Sequence, residues 1–180
     1  MPQQQVRENI LLPGISYSDR SVMRPVQIKS IQDMIDELSC PVGVNLICIT
    51  DSEGVDKCVA DTLLNAFGHN ASSVLVREFD DVTMAYPGVV VPSLDDMRCI
   101  LKWSKDRDDL TVCDSHGISS SAAVAFLIEC TRRPAMEALS ILDPSKHSPN
   151  EMIIGIGVEL GIAGLMDSYL EFLRRARAYL

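Results

Sequence analysis

Residues Leu110 to Ala125 read Leu-Thr-Val-Cys-Asp-Ser-His-Gly-Ile-Ser-Ser-Ser-Ala-Ala-Val-Ala, a short apolar run that breaks into a polar loop and then opens a helix. Such a strand, a loop of small residues with one glycine, and a helix N-terminus aim several unpaired backbone N–H groups and a partial positive charge at one point, an arrangement that binds anions. The side chains contradict it. Asp114 stands in the loop, and no Lys or Arg lies between Leu110 and Cys130. The groups that could do chemistry here are Cys113, Asp114, Ser115, His116, Ser119, Ser120 and Ser121, carried with Gly117 and Ile118. Beside Asp114 the thiolate of Cys113 is disfavoured, the opposite of activation, so Cys113 reads as a structural thiol with a nucleophile as the alternative. Asp114 as a phosphoryl acceptor would want a bound magnesium and further carboxylates; Asp80 and Asp81 could approach, although nothing in their spacing demands it. His116 near Asp114 could mark a metal or a base pair, yet a hydrogen bond inside the loop explains both residues. No metal site and no cofactor is expected.

The elements that must position this loop follow from the apolar periodicity. Val22 to Ile28 reads as an edge strand despite Pro25. Ser30, with Asp33 three residues on, caps a first helix whose stripe is Ile31, Met34, Ile35 and Leu38. Val44 to Ile49 is a buried strand, and Val55, Val59, Leu63 and Phe67 form a second helix stopped at Gly68. Ser73 to Val76 is the next strand. A turn-rich loop through Phe79-Asp80-Asp81 and Tyr86-Pro87-Gly88 leads to Ser93 and Asp96, which cap a third helix carrying Leu94, Met97, Ile100 and Leu101. Leu110 to Cys113 is the last strand. Beyond the loop the chain is helical: Ser121 to Arg132, a helix begun by Pro134 with Met136, Leu139 and Leu142 inward, a third from Pro149 with Ser148 as its N-cap and Glu151 in the capping box, and an amphipathic tail from Leu165. The basic end of that tail, Arg174, Arg175 and Arg177, suits the helix dipole and reads as a solvated face.

Alternating helices and buried strands imply an α/β fold, a central mostly parallel sheet with helices on both faces and a helical C-terminal half. Ligands in such sheets bind beyond the carboxyl ends of the strands, where the Cys113–Ser121 loop and the Asp80-Asp81 segment both lie. Residues 1–25 form an N-terminal arm or edge strand, and 26–180 one domain. The length suits a single core, and 47% hydrophobic residues is ordinary for a globular chain. With 16 basic against 25 acidic residues the net charge is −9, which argues against nucleic acid or an anionic membrane as partner. No apolar stretch spans a bilayer and the N-terminus lacks the apolar core of a signal peptide, so a cytoplasmic protein is expected. The six cysteines show no Cys-x-x-Cys pair and no Cys/His clustering of the kind that marks zinc; Cys48, Cys58, Cys99 and Cys130 read as buried thiols.

The segment from Thr111 to Ala125 resembles the signature of the cysteine-dependent protein tyrosine and dual-specificity phosphatases, His-Cys-x-x-Gly-x-x-Arg-Ser, often continued Gly-Ile-Ser-Arg-Ser-Ala. Gly117-Ile118-Ser119 and Ser121-Ala122-Ala123 fix the register. His147-Ser-Pro-Asn150 opening a helix downstream supports it, as does Phe79-Asp80-Asp81 at about the distance where the family places its general-acid loop. The likeness covers roughly residues 30 to 165 and is greatest to compact bacterial tyrosine-phosphatase-like proteins. It implies a phosphotyrosine-phosphatase-like fold for this α/β chain. The same register puts Cys113 at the family's His, Asp114 at its nucleophilic Cys and Ser120 at its phosphate-gripping Arg.

The family reaction needs a thiolate to attack phosphorus while the Arg fork holds the oxygens and an Asp protonates the leaving group. Two of those three groups are replaced here. A carboxylate about 4 Å from a phosphate charge is repelled by roughly 4 kcal/mol at an effective dielectric of 20, and a lost charged hydrogen bond gives up about 1.5–3 kcal/mol more. That removes several orders of magnitude in phosphate affinity before chemistry begins. Asp114 suits the frame in another way, because its carboxylate can accept the loop N–H groups and complement the dipole. The expectation is a catalytically degenerate phosphatase-like protein, a pseudophosphatase with a binding or regulatory role that takes a ligand or a protein partner over the residues Asp114 to Ser121, with Asp80 or Asp81 as a vestigial acid position. The competing reading is a hydrolase of phosphate esters with altered chemistry, using Cys113 or Asp114.

Overall fold

Residues 23–36, 44–52, 61, 65 and 73–179 are described by the structure, a computed structural model. Strands β1 (Gln27–Ser30), β2 (Asn45–Thr50), β3 (Ser73–Glu78) and β4 (Leu110–Asp114) form one sheet in the order β1-β4-β2-β3. Every pairing is parallel, with Cys48 of β2 level with Cys113 of β4. The inner strands β2 and β4 are buried almost throughout, whereas the edge strands are half-covered. That is why Val44 to Ile49 and Leu110 to Cys113 read as continuous apolar runs. The edge strand near Pro25 begins at Gln27, beyond the residue whose missing N–H would break the ladder.

Helix α1 (Ile31–Asp36) covers one face, where Ile31 and Met34 pack with Leu46, Cys48 and Cys113. On the other face lie α2 (Leu94–Ser104), α3 (Ser120–Arg132), the single turn α4 (Ala135–Ala138), α5 (Glu151–Glu159) and α6 (Leu165–Ala176), whose apolar residues join Ile47, Ile49, Leu110 and Val112 in the main core. The expected α/β class, with helices on both faces and a helical C-terminal half, is what the chain adopts. Two of the expected helix starts are reciprocal capping boxes. Asp33 donates its N–H to Ser30 Oγ at 2.9 Å while Ser30 N–H reaches Asp33 Oδ2 at 3.1 Å, and Ser93 with Asp96 repeat the exchange at α2.

Helix α3 runs through the middle of the molecule and is buried on nearly every side, which explains its continuous apolar sequence. Its one buried acid, Glu129, accepts the N–H of Val26 at 3.0 Å and so ties the approach to β1 onto α3. Arg132 donates to the carbonyl oxygens of Ser104 and Arg107 at 3.1 and 2.7 Å, fixing the end of α2 to the same helix.

Three expectations differ from the structure. The helix expected from Pro149 starts at Glu151, and its N-cap is Asn150 rather than Ser148: the Asn150 side-chain oxygen accepts from the N–H of Met152 and Ile153 at 3.0 and 3.3 Å. Met136 is exposed, and the turn after Pro134 instead buries Ala135, Ala138 and Leu139 because a single turn followed by a 3-10 segment does not keep the 3.6-residue stripe. Cys99 is only partly buried, while Cys48 and Cys130 are buried as expected. The helix carrying Val55, Val59, Leu63 and Phe67 lies outside the described residues except for Asp61 and Asn65, which are helical; Cys40, Cys58 and residues 1–22 of the expected arm also lie outside them. Among the described residues no helix is long and apolar enough to cross a membrane.

Candidate functional site

Strand β4 ends at Asp114 and α3 begins at Ser120, so the loop between them must reverse within five residues. Gly117 makes that reversal. Its φ is +69°, and a Cβ there would lie 2.6 Å from Ser30 N and 2.7 Å from Lys29 C, where the loop presses on the end of β1. Only glycine fits both the left-handed conformation and the close approach.

The loop N–H groups converge on Asp114. Its Oδ1 accepts from the N–H of His116 at 3.0 Å and from that of Gly117, and its Oδ2 accepts from the N–H of Ser121 at 2.7 Å. Ser121 is the second residue of α3, so Asp114 caps the helix across the loop. The usual capping position is held by Ser119, whose side chain makes no cap bond. A buried carboxylate held by three backbone N–H groups at the positive end of a 13-residue helix is a complete anion site occupied from within.

Asp80 and Asp81 diverge. Asp80 turns towards β2: its Oδ1 accepts from Ser52 N and Ser52 Oγ, both at 2.9 Å, and its Oδ2 from Val90 N at 2.8 Å. These bonds, led by the one from the Ser52 backbone, hold its carboxyl below the usual carboxylate range. Asp81 turns towards the signature loop. Its Oδ1 accepts from Ser119 Oγ and Ser120 Oγ at 2.8 Å each and from the Asn150 side-chain amide at 2.7 Å. Asn150 also donates to the Val82 carbonyl oxygen at 3.0 Å. One side chain therefore caps α5 and grips the Asp81 segment. The segment before α5 also clamps the loop from below, with Ser148 N donating to Ile118 O at 3.0 Å and Asn150 N to Ser119 O at 3.3 Å.

His147 completes the support. Its Nδ1 accepts the Asp143 N–H at 2.9 Å, which fixes the ring with its proton on Nε2. Burial, with the nearby charge of Lys146, lowers its basicity below the ordinary imidazole value, against the opposing pull of Asp143 and Asp114.

Above the loop lies a cleft of about 330 Å³ lined by Ile49, Asp51, Phe79, Asp81, Asp114, Ser115, His116, Ile118, Ser119 and Ser120. The residues Asp114, Ser115, His116, Ile118, Ser119 and Ser120 singled out from the sequence thus face one space, together with Asp81. Gly117 and Ser121 instead act through their backbone N–H groups, and Asp80 is a strut. Among the described residues the lining carries three carboxylates and no Lys or Arg. Among the described residues no group of three or more His, Cys, Asp or Glu is gathered closely enough to hold a metal ion.

Cys113 is not part of the cleft. Successive strand residues point to opposite faces, so the step that aims Asp114 towards α3 sends Cys113 into the cluster under α1, fully buried against Cys48. The hydrogen bond with Cys48, burial, and the charge of Asp114 push its thiol well above its ordinary value. A thiol so placed has neither the access nor the acidity of a nucleophile. Sequence reasoning missed Ile49, Asp51 and Phe79 as cleft walls. Ile49 and Asp51 were findable, since they flank Thr50, the last residue of β2, on the same carboxyl edge as the loop.

No protein-family model and no curated protein matches this chain. Among solved structures it is similar to one titled "Crystal structure of Tk-PTP in the active form", at 13% identity and a TM-score of 0.45, over 87% of this chain and 94% of that one.

Proposed function

We propose that this chain is a catalytically degenerate relative of the protein tyrosine and dual-specificity phosphatases, a pseudophosphatase that binds rather than hydrolyses. The observation that carries the reading is the state of the loop: the three N–H groups that would receive a phosphoryl group are bonded to Asp114. At the signature's Arg position stands Ser120, whose hydroxyl points to Asp81 instead of supplying a charge. A phosphate monoester entering the cleft would meet three carboxylates and lose the donors that should hold it. Asp81, which occupies the place of a general acid, has its Oδ1 engaged by two hydroxyls and an amide, so the same residue now braces the loop. Retention of the frame without its reacting groups favours a binding role for the cleft.

Turnover of a generic aryl phosphate by the purified chain tests this reading. No activity above that of the Asp114→Ala and Cys113→Ala variants is expected. Hydrolysis by the wild-type chain that either substitution abolishes would establish the competing reading, an enzyme with altered chemistry.

A further inference from the structure

Helix α6 (Leu165–Ala176) buries one face against the main core, through Leu165, Tyr169 and Phe172. A second apolar stripe faces outward. Met166 and Leu170 are 42% and 56% exposed, with the half-buried Leu173 beside them. Met166, Leu170, Leu173 and Arg177 follow one another at spacings of four, three and four residues. That is the repeat of a coiled-coil seam, which keeps a single stripe turned towards one partner helix. The 12 residues of α6 extend about 18 Å, enough to give each of these side chains its own layer. The start of α6 also abuts the turn α4, where a Cβ on Gly164 would lie 3.5 Å from the Ala135 Cβ, and that turn adds Met136 at 53% exposure.

The charges along α6 select the occupant of that stripe. Asp167 stands in the first turn, and Arg174, Arg175 and Arg177 gather at the end. Glu171 takes up Arg174 and Arg175 at 2.7 and 2.9 Å. Among the described residues Asp167 and Arg177 stay outside the chain's own ion pairs. Ten residues separate them, about 15 Å along a helix, so they cannot meet within one copy. We infer that two copies of this chain pair through α6, antiparallel about a two-fold axis that passes between Leu170 and Leu173. Leu170 of each copy then lies against Leu173 of the other. Met166 lies against the methylene stem of Arg177 of the second copy, whose guanidinium reaches Asp167. The two-fold makes every such pair occur twice, so one self-complementary patch satisfies both copies. Antiparallel placement also sets the positive start of each helix beside the negative end of the other. No residue of α6 lines the cleft over the signature loop, so the pairing is independent of that loop's chemistry.

The test is sedimentation equilibrium of the full chain from low micromolar to submillimolar concentration. The net charge of −9 on each copy opposes approach, so the buffer holds about 0.15 M salt, which screens charges farther apart than about 8 Å and leaves the contacts themselves. The mean mass is expected to rise reversibly to twice that of one chain. Leu170→Glu, at an exposed position that the monomer does not use, should leave Tm and helix content unchanged and weaken association at least tenfold. Asp167→Arg and Arg177→Asp should each weaken self-association about tenfold, because each sets like charges opposite one another twice. An equimolar mixture of those two variants should associate again, since each then carries the complement of the other. A chain that stays monomeric throughout leaves the stripe to a different partner and overturns the inference. Association that Leu170→Glu does not weaken places the contact on another face and overturns it too. A mixture that associates no better than either variant alone overturns the antiparallel pairing.

Discussion

Replacing Asp114 by Asn removes one negative charge and changes little else in shape, so its effect on stability measures what the carboxylate does for the loop. In the wild-type chain Oδ1 takes two N–H groups, from His116 and Gly117, and Oδ2 takes a third, from Ser121. An Asn side chain has one oxygen. If that oxygen stays with His116 and Gly117, the new amide nitrogen faces the buried N–H of Ser121, donor against donor. Turning the amide over leaves the other two N–H groups without an acceptor. The milder arrangement orphans one buried N–H, at about 1–3 kcal/mol, and strips the charge from two further hydrogen bonds, at about 1 kcal/mol each. A total loss of about 3 kcal/mol follows at the low end, and in a domain of this length it corresponds to a Tm lowered by about 6–12 °C. Calorimetry and urea unfolding of both proteins at neutral pH measure it. A midpoint unchanged to within about 2 °C would refute the reasoning, because the loop would then be held by something other than the carboxylate.

Three other outcomes follow from the same structure. Gly117→Ala must accept a positive φ and a backbone collision with Ser30 and Lys29, so it should cost about 2–5 kcal/mol in urea unfolding; a cost below about 1 kcal/mol would show that the β1 end yields freely. His147 is held neutral in the fold, with its folded value below the ordinary 6.5 that it regains on unfolding. The unfolded chain therefore takes up the proton first, so this contribution is complete well above 6.5 and is lost as pH falls through 6.5 and below; unfolding free energy should drop as pH is lowered across that value, and His147→Asn should flatten that slope. The double substitution Asp114→Cys with Ser120→Arg should restore binding of inorganic phosphate or vanadate, seen as a ligand-dependent rise in Tm, with Asp81 rather than Asp80 as the acid placed to assist, since Asp80 is tied to Ser52 and Val90.

Much of this was legible in the sequence, for reasons that differ from residue to residue. Ser30 with Asp33 and Ser93 with Asp96 announced their helices because a capping box is a local exchange between residues three apart. The inner strands were legible because burial on both faces leaves an unbroken apolar run. The separation of Cys113 from Asp114 was also contained in the sequence, since strand alternation forbids adjacent residues from sharing a face, yet with the loop alone in view both looked like candidates for one site. Met136 misleads because an apolar residue need not be buried in a turn too short to present a stripe. The division of labour between Asp80 and Asp81 could not be read at all. It depends on Ser52, 28 residues away, capturing one carboxylate, and on Asn150, 69 residues away, capturing the other. Asn150 shows the same limit from the other side: a local reading gave the N-cap to Ser148, because the second use of the Asn150 amide on Asp81 and Val82 exists only in the folded chain.

The central claim is that the anion site of the loop is filled by the chain itself. A crystal of the full chain soaked in phosphate or tungstate tests it most directly. The Asp114 carboxylate should remain on the N–H groups of His116, Gly117 and Ser121 with no ordered anion over the loop. An oxyanion bound by those three N–H groups, with Asp114 turned away, would contradict the account.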